Sequence, residues 1–96
     1  MTTQECVMLL SQFKALHAHE YGIERMGIFG SVARGEQKDN SDVDIFYEGA
    51  SMGLKSLVQL PMELEKLLGV SVDVIRKHTN IRPRFLQQIE KEIIYV

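Results

Sequence analysis

Apolar positions near the start of the chain recur at helical intervals: Cys6, Leu9, Leu10, Phe13, Leu16 and His17 follow at steps that gather them on one face of a 3.6-residue helix. Thr2 stands three residues before Glu5, the spacing of a capping box, and Gly22 offers a left-handed stop. The pattern predicts an amphipathic first helix. Beyond it, Arg25 to Phe29 is short, apolar-rich and bounded by glycine, which suits a buried strand running into Gly30-Ser31 and a turn. Val32 to Arg34 leaves room for only a brief helix before Gly35, and Glu36 to Ser41 is polar enough for a surface loop. From Asp42 to Tyr47 the period is two: Val43, Ile45 and Tyr47 fall on one face, Asp42, Asp44 and Phe46 on the other.

Helical spacing returns with Leu54, Leu57, Leu60, Leu64, Leu67 and Leu68, for which Ser51 is the expected cap and Gly69 the terminator. Pro61 falls inside this run, where a break or bend is expected because proline has no N–H for the helical ladder. Val70 to Ile75 alternates again and predicts a third strand, with Val72 and Val74 on one side and Ser71, Asp73 and Ile75 on the other. Pro83 suits a first helical turn, and Phe85, Leu86, Ile89 and Ile93 predict a last amphipathic helix before the apolar tail Ile94-Tyr95-Val96. The order of elements predicts one α/β domain over residues 1–96, a three-stranded mixed sheet with flanking helices.

Composition narrows the function classes. A chain of 96 residues with 45% hydrophobic content matches a small globular domain. At this size a partner covering further apolar area, including a second copy, is a live option. The formal charge of -2 and the lack of a long basic run argue against a general nucleic-acid binder. Cys6 is the one cysteine and the N-terminus has no secretory pattern, so a cytoplasmic location is expected. No apolar run approaches the roughly 20 residues that span a bilayer, which removes a membrane role from the expectations. His17, His19 and His78 have no metal-ligand spacing with a cysteine pair, so zinc has no ligand set in the sequence.

The candidate chemistry lies between the first two predicted strands. Gly30 permits a sharp turn and a close approach to a ligand, and Ser31 brings a hydroxyl and backbone N–H groups to phosphate oxygens. Asp42 and Asp44, two residues apart on a strand, present hard oxygen ligands side by side, the kind Mg²⁺ takes when it also binds substrate phosphates. Either feature alone is ordinary: a tight turn, or a solvated strand face. Yet aspartate is depleted in strands, and two on one side repel unless a positive charge lies between them. Arg34 either touches phosphate or pairs locally. Arg76, Lys77, His78, Arg82 and Arg84 form a loose basic group that reads first as a solvated loop and helix start, with triphosphate or partner contact as the second reading.

Gly30-Ser31-Val32-Ala33-Arg34-Gly35 followed by Ser41-Asp42-Val43-Asp44-Ile45 resembles the nucleotidyltransferase superfamily of the polymerase-β-like kind, and within it the minimal nucleotidyltransferases. The resemblance covers nearly the whole chain. It implies that Gly30 and Ser31 hold a nucleoside triphosphate, that Asp42, Asp44 and Asp73 are the catalytic carboxylates and ligate metal, and that two Mg²⁺ ions align an acceptor hydroxyl with the α-phosphate of ATP. Asp73 then assists deprotonation of that hydroxyl, directly or through the second ion. The resemblance further implies the antitoxin of a toxin–antitoxin module, transferring AMP onto a tyrosine of a partner HEPN-type toxin. Two other functions stay open at this stage: a non-catalytic antitoxin that binds nucleotide and masks its partner, and a transferase acting on a small hydroxyl compound.

Overall fold

The computed structural model describes all residues from Met1 to Val96. Helix α1 runs Thr3–Tyr21; the Thr2 side chain accepts the Glu5 N–H at 3.0 Å, and left-handed Gly22 closes the far end by donating to Ala18 and His19 carbonyls. Strand β1 (Ile23–Phe29) passes directly into the one-and-a-half-turn helix α2 (Gly30–Arg34), and β2 covers Val43–Gly49. Helix α3 spans Leu54–Leu68, β3 Val72–Arg76, α4 Pro83–Glu92, and Ile94–Tyr95 forms a short strand β4. The sheet order is β3-β2-β1-β4, with β2 and β3 parallel and β1 antiparallel to both β2 and β4.

Four strands replace the three expected. The apolar tail is not a loose end, because Ile94 and Tyr95 pair with Ile28 and Gly27, and the Val96 N–H donates to the Met26 carbonyl at 3.0 Å. A two-residue strand is too short for alternation to announce it, and its pairing becomes legible only once β1 offers a free edge. Lys14 of α1 adds a bond from Nζ to the Val96 carbonyl at 2.8 Å. Helix α3 also departs from expectation. It runs unbroken through Pro61, and its cap residue is Gly53 rather than Ser51. Pro61 leaves the Leu57 carbonyl without its helical donor, at a stretch where Leu57 and Val58 are exposed and water can replace it.

The alternation of the strands divides the apolar residues between two faces. On one, α1 and α3 close over Met26, Ile28, Val43, Ile45 and Tyr47, with Cys6, Leu10, Phe13, Leu60, Leu64 and Leu68 supplied by the helices. Cys6 has no exposed surface, and burial pushes its thiol up to about 11, so it is an inert core residue. On the other face, Phe29 and Phe46 meet edge-on beneath Ile89 of α4. The second face is thus only partly covered, and the carboxylates of β2 and β3 emerge beside this smaller apolar cluster.

Gly27 allows β4 to dock. A Cβ there would collide with the Ile94 carbonyl oxygen. Gly27→Val is therefore expected to displace β4 and lower stability by about 1–3 kcal/mol, the usual cost of overpacking. Urea denaturation of the purified variant checks this, and an unchanged midpoint would show that β4 contributes nothing.

Candidate active site

The site starts where β1 ends. Phe29 is extended and Gly30 turns with φ of +72°, a left-handed conformation natural to glycine, so that the chain enters α2 within one residue. Gly30 has a second constraint: a Cβ on it would strike the Asp44 carboxylate. Glycine is required here by conformation and by space alike. Ser31 follows in the first turn of α2, partly buried, and Gly35 ends the helix with φ of +71°. Val32 plugs α2 into the main core, and the Thr3 hydroxyl donates to the Val32 carbonyl, tying the turn to α1.

Strand register brings the carboxylates together. Asp44 lies opposite Phe29 in β1 and opposite Asp73 in β3, one flank toward the glycine turn and the other toward the second acid. Asp73 is exposed on the edge strand, and Asp42 is exposed just before β2 begins rather than within it. The expected trio therefore shares one end of the sheet. Burial holds the Asp44 carboxyl above the ordinary carboxylate range; the negative charges of Asp73, Asp42 and Glu92 push the same way, and Arg34 opposes them. Of the three aspartates, Asp44 is the partly buried one.

This donor set fits a hard divalent cation that shares its shell with phosphate. No three acidic or histidine side chains close into a ready-made metal cage. Mg²⁺ does not need one, since it keeps waters and substrate phosphates and uses one or two carboxylates from the protein. Paired Asp44 and Asp73, with Asp42 beside them, are oxygen donors of that type. Their mutual repulsion marks the place where a cation relieves most charge.

Sequence reading did not single out Glu92. Its side chain is 17% exposed at the end of α4; one oxygen accepts the Gly30 N–H at 2.9 Å and the other accepts Arg34 at 2.7 Å. Arg34 also donates from Nε to Glu36 at 3.0 Å. Arg34 thus pairs with one acid close to it in sequence and with one far from it. The available signal was the position of Glu92 on the inward stripe, seven residues after Phe85 and three after Ile89. The basic group after Asp73 makes no comparable approach: Lys77 pairs with Glu48 at 3.5 Å, and Arg82 and Arg84 stand exposed at the start of α4. A depression of about 490 Å³ lies between α1 and α3 against Phe13, Leu16 and Leu67. It is on the other side of the sheet from the acids and holds no such constellation.

Comparison with known proteins agrees with this geometry. Residues 9–96 match the family model described as a nucleotidyltransferase domain. The chain is 32% identical over 97 residues to protein adenylyltransferase MntA of Thermococcus cleftensis, covering 100% of this chain and 97% of the relative. A solved structure provisionally named a minimal nucleotidyltransferase superposes with a TM-score of 0.74 at 31% identity, covering 98% of this chain and 95% of that one. The fold recurs, at 18% identity and a TM-score of 0.65, in a complex described as a tri-AMPylated Shewanella oneidensis HEPN toxin with an MNT antitoxin; 98% of this chain and 71% of that chain are covered. A family match over nearly the whole length, joined to a glycine turn packed on paired strand aspartates, shows that this chain belongs to the nucleotidyltransferase domain family.

Proposed function

We propose that the chain is a metal-dependent protein adenylyltransferase, the antitoxin of a toxin–antitoxin pair, which transfers AMP from ATP onto a tyrosine hydroxyl of a HEPN-type toxin. The observation that carries the reading is the juxtaposition of Asp44 with both Gly30 and Asp73. The relative named protein adenylyltransferase and the AMPylated toxin complex of the same fold support the direction of transfer and the class of acceptor. Openness supports it as well: Asp42 and Asp73 are exposed, so a side chain presented by another protein can reach them without entering a closed cavity.

In this reading the Gly30-Ser31 turn receives the triphosphate with the Ser31 hydroxyl and backbone N–H groups. Asp42, Asp44 and Asp73 would hold Mg²⁺, which when bound supplies the positive charge that screens the phosphates and the three carboxylates from one another. Asp73, the exposed acid on the edge strand, takes the proton of the acceptor hydroxyl. The hydroxyl oxygen then forms its bond to the α-phosphorus as the bond to the β-phosphate bridge breaks, and pyrophosphate leaves with that electron pair. Asp44, fixed beneath Gly30, keeps the carboxylates and the phosphate turn in one register.

Two outcomes follow for Asp44 and Asp73. A carboxyl whose pKa is higher folded than unfolded contributes stability that is present below the unfolded value and lost as pH rises through the folded value. The raised pKa of Asp44 therefore makes its ionised form a cost at neutral pH. Metal-free Asp44→Asn is expected to melt above the wild type at pH 7, with the difference shrinking as pH falls through the carboxylate range. Mg²⁺ should raise the melting temperature of the wild type more than that of the variant, and AMP transfer by the variant should be lost. Thermal scans at several pH values with and without Mg²⁺ check the sign, and a variant less stable than the wild type without metal contradicts it.

Asp73→Asn separates catalysis from masking. The variant is expected to keep most of its affinity for the partner while transfer falls by about 10²–10⁴-fold, the scale of general-base assistance. Partner titration alongside intact-mass measurement of AMP on the partner makes the comparison. Full neutralisation of the partner by Asp73→Asn without incorporated nucleotide would leave masking as the function.

A further inference from the structure

The contact between Glu92 and the turn joins residues 62 positions apart and places a negative charge beside an already crowded acid. Glu92 adds to the negative charge around the partly buried Asp44 carboxyl, so on electrostatic grounds alone this is a poor place for it. Its two bonds account for its presence. A carboxylate accepting a backbone N–H on one oxygen and a guanidinium on the other makes charge-assisted bonds with fixed geometry, and at 17% exposure they are only partly screened by water. We propose that Glu92 is a positioning residue for the nucleotide: it clamps the Gly30 N–H and the Arg34 guanidinium together, so that docking of the last helix sets the shape of the turn that receives the triphosphate.

Three features support the clamp. Gly30 has no side chain with which to hold itself, and its φ of +72° lies among the conformations that only glycine visits freely, so an external acceptor is needed to select one. Helix α2 is five residues long and offers little rigidity of its own, and Arg34 sits in its last turn, so Glu92 grips the helix at both ends. Glu92 is itself held. Ile89, one turn earlier in α4, is fully buried against Phe29 and Phe46, and Ile94 immediately beyond pairs with Ile28 in the sheet. The clamp thus stands between two anchored points, and one of them, Phe29, is the residue that precedes the turn.

The proposal rests on the reading that triphosphate binds at Gly30-Ser31, and its test keeps the two apart. Amide exchange of ¹⁵N-labelled chain without nucleotide reports on the Gly30 N–H, and titration with a non-hydrolysable ATP analogue plus Mg²⁺ reports on binding. Glu92→Ala is expected to speed Gly30 exchange and weaken analogue binding by about tenfold each, the scale of one lost hydrogen bond to a charged group. Glu92→Gln, whose amide oxygen still accepts from Gly30, should keep the protection and bind within about threefold of wild type. Glu92→Asp, one methylene too short to span both partners, serves if the alanine variant does not fold, and should lose protection while keeping the charge. Unchanged Gly30 exchange in Glu92→Ala or Glu92→Asp, tighter analogue binding by either, or a glutamine variant as impaired as the alanine one, overturns the clamp. A wild-type chain that binds no analogue overturns the nucleotide reading, while the exchange comparison still decides whether Glu92 holds the turn.

Discussion

The close packing of Asp44 on Gly30 is the contact on which the rest of the site depends. It forces the turn after β1 to be glycine, because any side chain would occupy the space of the carboxylate. It also sets the distance between the glycine turn and the acids, since Asp44 is in register with Phe29 on one side and Asp73 on the other. A backbone turn and two strand positions are thereby joined through one residue. Rigid strands carry the acids, and only the short α2 and its turn depend on support from elsewhere.

That support comes from the far end of the chain. The smaller apolar cluster of Phe29, Phe46 and Ile89 seats α4 on the same face of the sheet as the carboxylates, and β4 then pins its end to β1. Side chains of α4 therefore arrive beside residues near the start of β2 that are some fifty positions away in sequence. The larger cluster on the opposite face supplies most of the buried apolar surface and carries no chemistry. Division of labour between the two faces follows directly from the period of two along β1 and β2.

Electrostatics and stability pull in opposite directions here. Asp44 is partly buried among like charges, and a domain of 96 residues has little spare stability to offset such a cost. Under the proposed function a cation and a triphosphate would bring the compensating charge, and the electrostatic cost in the free protein would become affinity for them. Asp42 and Asp73 are exposed, and this openness is what the proposed function uses to admit a side chain of another protein, since a small molecule would need walls to hold it.

Much of this was legible from residue order. The helical stripe of α1 with its Thr2 cap and Gly22 stop, the alternation of β2 and β3, and the pairing of a Gly-Ser turn with strand aspartates all follow from local rules, in which the period and the terminating residue carry the information. Local rules were weaker where neighbours decide. Leu16, Leu54 and Leu57 fit helical stripes yet stand exposed, because spacing gives the face of a helix and not how far its neighbours reach across that face. Pro61 remained within a helix since its lost bond falls on an exposed stretch, and the tail became a fourth strand since β1 had an unpaired edge. Glu92 shows the limit most clearly. Its place on the inward stripe of α4 marks it as facing the sheet but names no partner, and only the docking of α4 brings its carboxylate to Gly30 and Arg34. The sequence by itself determined the types of the longer elements and the chemical identity of the acids, because both are encoded in short-range period and residue type. The order of strands, the burial of Asp44 and the partner of the glycine turn were decided by tertiary structure, because each depends on which distant segment fills the space beside it.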